Sequence, residues 1–195
     1  MSTKASATAL PLDPTGLALL LVDVQAAFIE ALPEGKAILQ RCCFATQAAA
    51  LNNLPIFVTE QLPEKLGATH PDLLQAAQPT AIFAKTTFSA WQAEGLRQAL
   101  AQHKVKHLLI AGLETSICIY QTVLDALKEK FSVTVLTDCI GAVRTEDSQA
   151  VWSFLQHQTH ASLLPAETVF YSILGDAKHP HFSNFNRLVK AYRTG

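Results

Sequence analysis

The chain is 195 residues long, 49% hydrophobic and 16% charged, with a formal net charge of -1. That length predicts a single domain over 1–195 with enough chain to bury a sizeable core, and with 1–15 as a loose leading segment. The near-neutral balance gives no electrostatic reason to expect nucleic acid or an anionic membrane as partner, so small molecules are the expected ligands.

No apolar run approaches the ~18 residues of a membrane span, and the leading stretch MSTKASATALPLDPTG lacks a signal-peptide core; the expected location is cytoplasmic. The apolar richness suggests strands covered on both faces or a buried subunit interface, and hence a homo-oligomer. Four cysteines, two of them adjacent at Cys42 and Cys43, make neither a disulfide framework nor a C-x-x-C pair, so reduced thiols are expected.

In chain order, residues 17–24 form a continuous apolar run suited to a central parallel strand, ending at Asp23. A helix follows over 36–51 and closes at Asn52 and Asn53, ahead of Pro55. A second short strand spans 56–59. The segment 60–79 holds three prolines and Gly67 and reads as a long connection with a short helix at 72–77. Residues 80–84 form a third strand followed by Lys85, and a helix runs from about 90 to 102.

In KHLLIAGLETSICIYQTVLD, 106–125, a buried strand over 107–111 leads through Gly112, expected to permit a tight turn. The helix beyond it carries Ile117, Tyr120, Val123, Leu124 and Leu127 at helical spacing. A fifth strand covers 131–136 and ends at Thr137 and Asp138, and a helix over 145–156 takes Thr145 as its cap. A short sixth strand is placed at 161–163, a helix opened by Pro165 runs to about 174, and a last helix covers 182–191. His157 and His160 lack a third ligand and read as structural or exposed; neither metal nor cofactor is expected.

This alternation predicts an α/β fold: a three-layer α/β/α sandwich around a mostly parallel, about six-stranded Rossmann-like sheet. Ligands in such folds bind at the carboxyl ends of the strands, near the point where strand order reverses. Asp23, Glu60, Lys85, the 112–118 turn and Asp138 should therefore gather on one rim.

A carboxylate, an ammonium and a thiol gathered there make a hydrolytic set. Cys118, in the first turn of its helix, lies near the positive end of the helix dipole, which favours the thiolate. Asp23 can take the thiol proton, Lys85 can hold Asp23 ionised, and backbone N–H groups near Glu114 and Cys118 can stabilise an oxyanion. Phe28, Glu60, Phe88 and Trp91 are candidates for the substrate pocket.

Each residue also has a plainer role. A free cysteine often just fills space, an Asp after a strand is a common turn residue, Lys85 suits a solvated surface, and Glu60 suits a pair with Lys65 or Lys85. Two other classes stay open: a non-catalytic binding or scaffold protein, its pocket occluded by Phe88, Trp91 or Phe170, and a redox-sensing thiol with Cys139 close to an exposed Cys118. Gly112 stands alone where a dinucleotide-binding G-x-G-x-x-G turn would be required.

Four segments together, LLLVDVQAAF at 19–28, KTTFSA at 85–90, GLETSICIYQTVLDAL at 112–127 and TDCIGAVRTEDSQA at 137–150, resemble the isochorismatase-like cysteine hydrolase superfamily. The resemblance implies that Asp23, Lys85 and Cys118 match the family's catalytic triad. It also implies that Leu113-Glu114 matches its non-proline cis peptide, with the N–H of Glu114 in the oxyanion hole. Nicotinamidases of this superfamily carry a metal-binding Asp-x-His after the second strand, whereas this chain reads TEQLPEKLG at 59–67. Isochorismatases proper lack the cysteine. The resemblance therefore implies the metal-free isochorismatase-domain subgroup and a cysteine hydrolase that cleaves a small amide or related C–N bond through a thioester.

Overall fold

The computed structural model describes residues 13–193, so most of the expected loose leading segment lies outside it. The elements in chain order are β1 (Leu17–Val22), α1 (Ala26–Ala31), α2 (Gly35–Leu51), β2 (Ile56–Gln61), α3 (Pro63–Leu66), α4 (Pro71–Ala76), β3 (Ala81–Lys85), α5 (Leu96–Gln102), β4 (His107–Leu113), α6 (Tyr120–Lys128), β5 (Ser132–Gly141), α7 (Thr145–Leu155), β6 (Ala161–Leu164), α8 (Ala166–Leu174) and α9 (Phe182–Arg193). One sheet runs in the order β3-β2-β1-β4-β5-β6, and every pairing is parallel. This is the expected α/β sandwich, with strand order reversing between β1 and β4.

β1 is apolar at every position because both of its faces are covered. Leu17, Leu19 and Leu21 enter a core shared with α1, α2, α4, α8 and α9, while Ala18, Leu20 and Val22 enter one shared with α5, α6 and α7. Alanines 45, 48 and 49 of α2 are fully buried and let that helix lie close to the sheet. Phe185 and Val189, four apart on α9, are buried in the first core, where Phe185 meets Phe44 and Phe170.

Several elements depart from the expected pattern. The helix placed at 90–102 is a 3-10 turn, Ala90–Gln92, followed by α5; Gly95, at φ 84, separates them. The short helices α1 and α3 were not expected: α1 has no side-chain cap, while α3 has Pro63 at its start and Gly67 at its C-cap, signals that a proline-containing connection hides. Thr145 does not cap α7, because Arg144 holds that position and makes no side-chain cap bond.

Gly112 lies inside β4 and not in a turn. It is buried at φ 126, and an added Cβ would collide with the carbonyl oxygen of Val22 on β1, so the residue permits close approach of two central strands. β5 is ten residues long and does not end at Asp138. Between the pairs Ile110–Val135 and Gly112–Ile140 the chain advances two residues on β4 and five on β5, so Asp138 sits in a bulge. Among the described residues no helix is long and apolar enough to cross a membrane.

Candidate active site

Asp23 follows β1 directly and is fully buried, with its backbone in the left-handed region at φ 55, which aspartate tolerates better than most residues. Its N–H donates to the Thr59 carbonyl (3.0 Å), and its own carbonyl accepts from the N–H of Gln25 (2.8 Å). These bonds turn the side chain across the end of the sheet. Oδ1 accepts from the Thr59 hydroxyl at 2.9 Å, and Oδ2 lies 2.6 Å from the ammonium of Lys85.

Lys85 ends the edge strand β3, yet it is 4% exposed because its side chain reaches over the end of β2 toward β1. Besides Asp23, Nζ donates to Gln61 Oε1 at 2.6 Å and to the carbonyls of Thr87 and Phe88 at 3.1 Å each. Cys118 Sγ lies 3.9 Å from the same nitrogen. A buried ammonium held by this many oxygens is a fixed charge, not a solvated surface lysine.

Cys118 comes off β4 in a π-helical turn, Thr115–Ile119, and not in the first turn of an ordinary helix. The N–H groups of Ile117 and Ile119 both reach the Glu114 carbonyl, at 3.2 and 3.1 Å. Such widened turns recur at functional sites. Below it the Thr122 hydroxyl donates to the Cys118 carbonyl (2.6 Å) and accepts from the N–H of Ala90 (2.9 Å), which pins the turn to the segment after β3.

Burial pushes the Asp23 carboxyl up from 3.8, against the pull of Lys85, Thr59 and the Cys118 thiol. Burial, then the charge of Asp23, pushes the Cys118 thiol up to about 12, with Lys85 opposing. This runs against the expected resting thiolate: loss of solvent and the Asp23 charge outweigh the ammonium and favour the protonated thiol. The geometry suits a carboxylate that removes that proton during attack.

The remaining candidates fall into two groups. Leu113 is buried and pairs with Gly141, and Glu114 accepts from the N–H of Val143 at 3.1 Å, its carboxyl raised by burial. Phe28 is half-buried, and Phe88 is 54% exposed beside the carbonyl that holds Lys85. Glu60 instead accepts from the N–H (2.8 Å) and hydroxyl (2.7 Å) of Thr69, so no pair with Lys65 or Lys85 forms. Trp91 is 3% exposed and packs edge-on against Phe131, centroids 4.9 Å apart; it belongs to the core and not to a substrate pocket.

Phe170 is likewise a core residue, against Phe44. Asp138 binds Arg41 at 2.5 Å and the N–H of Ala166 at 2.7 Å, tying α2 and α8 to β5 away from Cys118. Cys139 packs in the core of the opposite layer from Cys118, and all four cysteines are free. Among the described residues no three His, Cys, Asp or Glu side chains gather to hold a metal ion.

Sequence reasoning missed Thr59, Gln61 and Gln25. Gln61 accepts from Lys85 and donates to the Thr86 carbonyl (2.9 Å), while its own N–H and carbonyl are held by the Gln25 amide at 2.8 and 3.1 Å. The signal was present: strand-end residues gather on the rim, and β2 ends at Gln61, two residues later than its apolar run suggests.

A sequence profile of the isochorismatase domain matches residues 17–167. Isochorismatase family protein 1A of Dictyostelium discoideum is 30% identical over 186 residues, covering 93% of this chain and 90% of the relative. The solved structure of the MAR1 ribonuclease from Caenorhabditis elegans superimposes with a TM-score of 0.86 at 27% identity, covering 92% of each chain. The YcaC gene product of Escherichia coli, described as an octameric hydrolase of unknown specificity, shares the fold at a TM-score of 0.81 and 24% identity, over 94% of this chain and 96% of that one. With the profile spanning all six strands of the sheet and a relative aligned nearly end to end, the chain belongs to the isochorismatase-like hydrolase family.

Proposed function

We propose that this protein is a metal-independent cysteine hydrolase that cleaves a small amide or related C–N bond through a thioester on Cys118. The observation that carries the reading is the buried ammonium of Lys85, 2.6 Å from Asp23 and 3.9 Å from the Cys118 sulfur. Asp23 takes the thiol proton as sulfur attacks the carbonyl carbon, and the N–H groups of Glu114 and Cys118 receive the developing oxyanion. The C–N bond then breaks, and Asp23 returns the proton to the leaving amine. Water loses a proton to Asp23, its oxygen attacks the thioester, and the proton goes back to sulfur as the acid departs.

Lys85 faces the carboxylate at 2.6 Å and lowers its energy. The donor set supports metal-free chemistry: the stretch TEQLPEKLG at 59–67 has no Asp-x-His, Glu60 is occupied by Thr69, and Gln61 by Lys85. Exposed Phe88, Ile117 and Val143 surround this rim, an apolar surface suited to a homo-oligomer like the octameric E. coli neighbour.

The pH profile follows from the active form, ionised Asp23 with a protonated thiol. Turnover is expected to fall tenfold per pH unit below a pKa that lies above 3.8, and to stay flat through pH 9.0, where a free thiol would ionise. An alkaline limb at the free-thiol value in the kcat/KM profile would contradict this assignment. The reaction itself is tested by incubating the protein with a panel of amides, with an RNA oligonucleotide as control, and searching by mass spectrometry for an acyl adduct. The expected result is an adduct on Cys118 that is absent in Cys118→Ser; an adduct on Cys42 or Cys139 counts against the proposal.

A further inference from the structure

Lys85 meets more acceptors than it has protons. An ammonium carries three N–H donors, yet four oxygens face Nζ: Asp23 Oδ2 and Gln61 Oε1 at 2.6 Å each, and the carbonyls of Thr87 and Phe88 at 3.1 Å each. Two of these oxygens come from the segment after β3, one from the residue just past β1 and one from the end of β2. The nitrogen therefore sits where competing pulls balance, and removing one of them shifts it. The titratable groups around it among the described residues are Asp23 and Cys118, with Glu114 beyond the thiol; Gln61 is a neutral side chain in their midst.

Gln61 is held through side chain and backbone alike. Its Nε2 donates to the Thr86 carbonyl at 2.9 Å, which leaves Oε1 as the end that meets the ammonium; the flipped amide would set donor against donor. Its N–H donates to Gln25 Oε1 at 2.8 Å, and its carbonyl accepts from Gln25 Nε2 at 3.1 Å. Gln25 is fully buried and also donates to the Gly67 carbonyl, so its amide ties down the end of β2. An oxygen fixed this firmly can hold a charge at one point, as a supporting shell must.

We propose that Gln61 is a positioning residue of the cysteine chemistry: its side-chain oxygen keeps the Lys85 ammonium within reach of both Asp23 and Cys118, against the carbonyls of Thr87 and Phe88. The proposal rests on the hydrolase reading for the use made of that ammonium. Its test reads the thiol and the carboxyl without any amide substrate to hydrolyse.

Gln61→Met keeps the length of the side chain and loses both its oxygen and its bond to Thr86. Gln61→Glu loses that bond but keeps an oxygen toward the ammonium. The probe is iodoacetamide: the Cys118 sulfur bonds to its methylene carbon, the C–I bond breaks as iodide leaves, and the thiol proton passes to Asp23 and then to solvent. Mass spectrometry follows the rate against pH. Alkylation at the plateau is expected to fall at least about tenfold in Gln61→Met through misplacement of the charge, and to run at least about fivefold faster in Gln61→Glu than in Gln61→Met. Equal losses in the two variants mean that Gln61 acts only through Thr86, and overturn the proposal.

The Asp23 midpoint, followed by ¹³C titration of the carboxyl, gives a reading that needs no reagent. It is expected to rise by about one pH unit or more in Gln61→Met, because an exchange of one neutral side chain for another reaches the carboxyl through the displaced ammonium. An unmoved or lowered midpoint overturns the proposal. Should Gln61→Met fail to fold, Gln25→Met frees Gln61 without removing it, and the same rise or its absence decides. Wild-type protein that turns over no amide while these readings stand sinks the hydrolase reading alone.

Discussion

Replacing Asp23 with asparagine is expected to abolish turnover and to destabilise the fold by about 3–5 kcal/mol, the usual cost of breaking a buried ion pair by removing one partner. Both side chains of the pair are fully shielded from solvent, so the substitution leaves the Lys85 charge with no counterion. Gln61 and the carbonyls of Thr87 and Phe88 still accept from it, which places the loss toward the lower end of that range. Urea unfolding measures the stability, and adduct formation on Cys118 measures the chemistry. Unchanged stability would mean that the neutral oxygens alone hold the ammonium.

The opposite substitution behaves differently with pH. In Lys85→Met the carboxyl loses the cation that is the main opponent of its upward shift, and burial is opposed only by the weaker pull of Thr59 and the Cys118 thiol. A carboxyl whose folded pKa lies above its unfolded one binds more protons in the folded state, so this variant gains stability as pH falls toward protonation. The two variants separate the charge from its partner.

Gly112→Ala is expected to prevent stable folding, at a cost of about 4 kcal/mol or more, the range reserved for disrupted cores and forbidden backbone. The added methyl would meet the Val22 carbonyl in the middle of the sheet, and φ 126 is closed to an L-residue with a side chain. Neither fault can relax by rotating a side chain, because the atoms the methyl would meet are all backbone of Val22. Thermal unfolding checks the outcome; an alanine variant with a near-native melting temperature would show that β1 and β4 can separate at that point.

The layered architecture was legible because its strands are short apolar runs separated by helical spacing, and burial on both faces of β1 leaves no other reading of residues 17–22. The rim followed from topology alone: Asp23, Lys85 and Cys118 are distant in sequence but share the carboxyl ends of parallel strands. Gly112 was not legible, since a glycine after a strand reads as a turn whether it bends the chain or lets a neighbour approach. The thiol's protonation state was also beyond local reasoning, because the shielding that raises it comes from the whole assembled site. Trp91 and Glu60 failed for a related reason. Glu60 was read correctly as a strand-end residue, but Thr69, which claims its side chain, and Phe131, which claims that of Trp91, lie elsewhere in the sequence.

The clamps flanking α3 bear on how this protein could be altered. Gln25 grips the carbonyls of Gln61 and Gly67, and Glu60 grips Thr69, so both ends of the stretch 62–66 are moored while its middle is partly open to solvent. Exchanging those five positions for the corresponding residues of a relative would swap the tip as a cassette, leaving the anchors that steady Lys85 untouched.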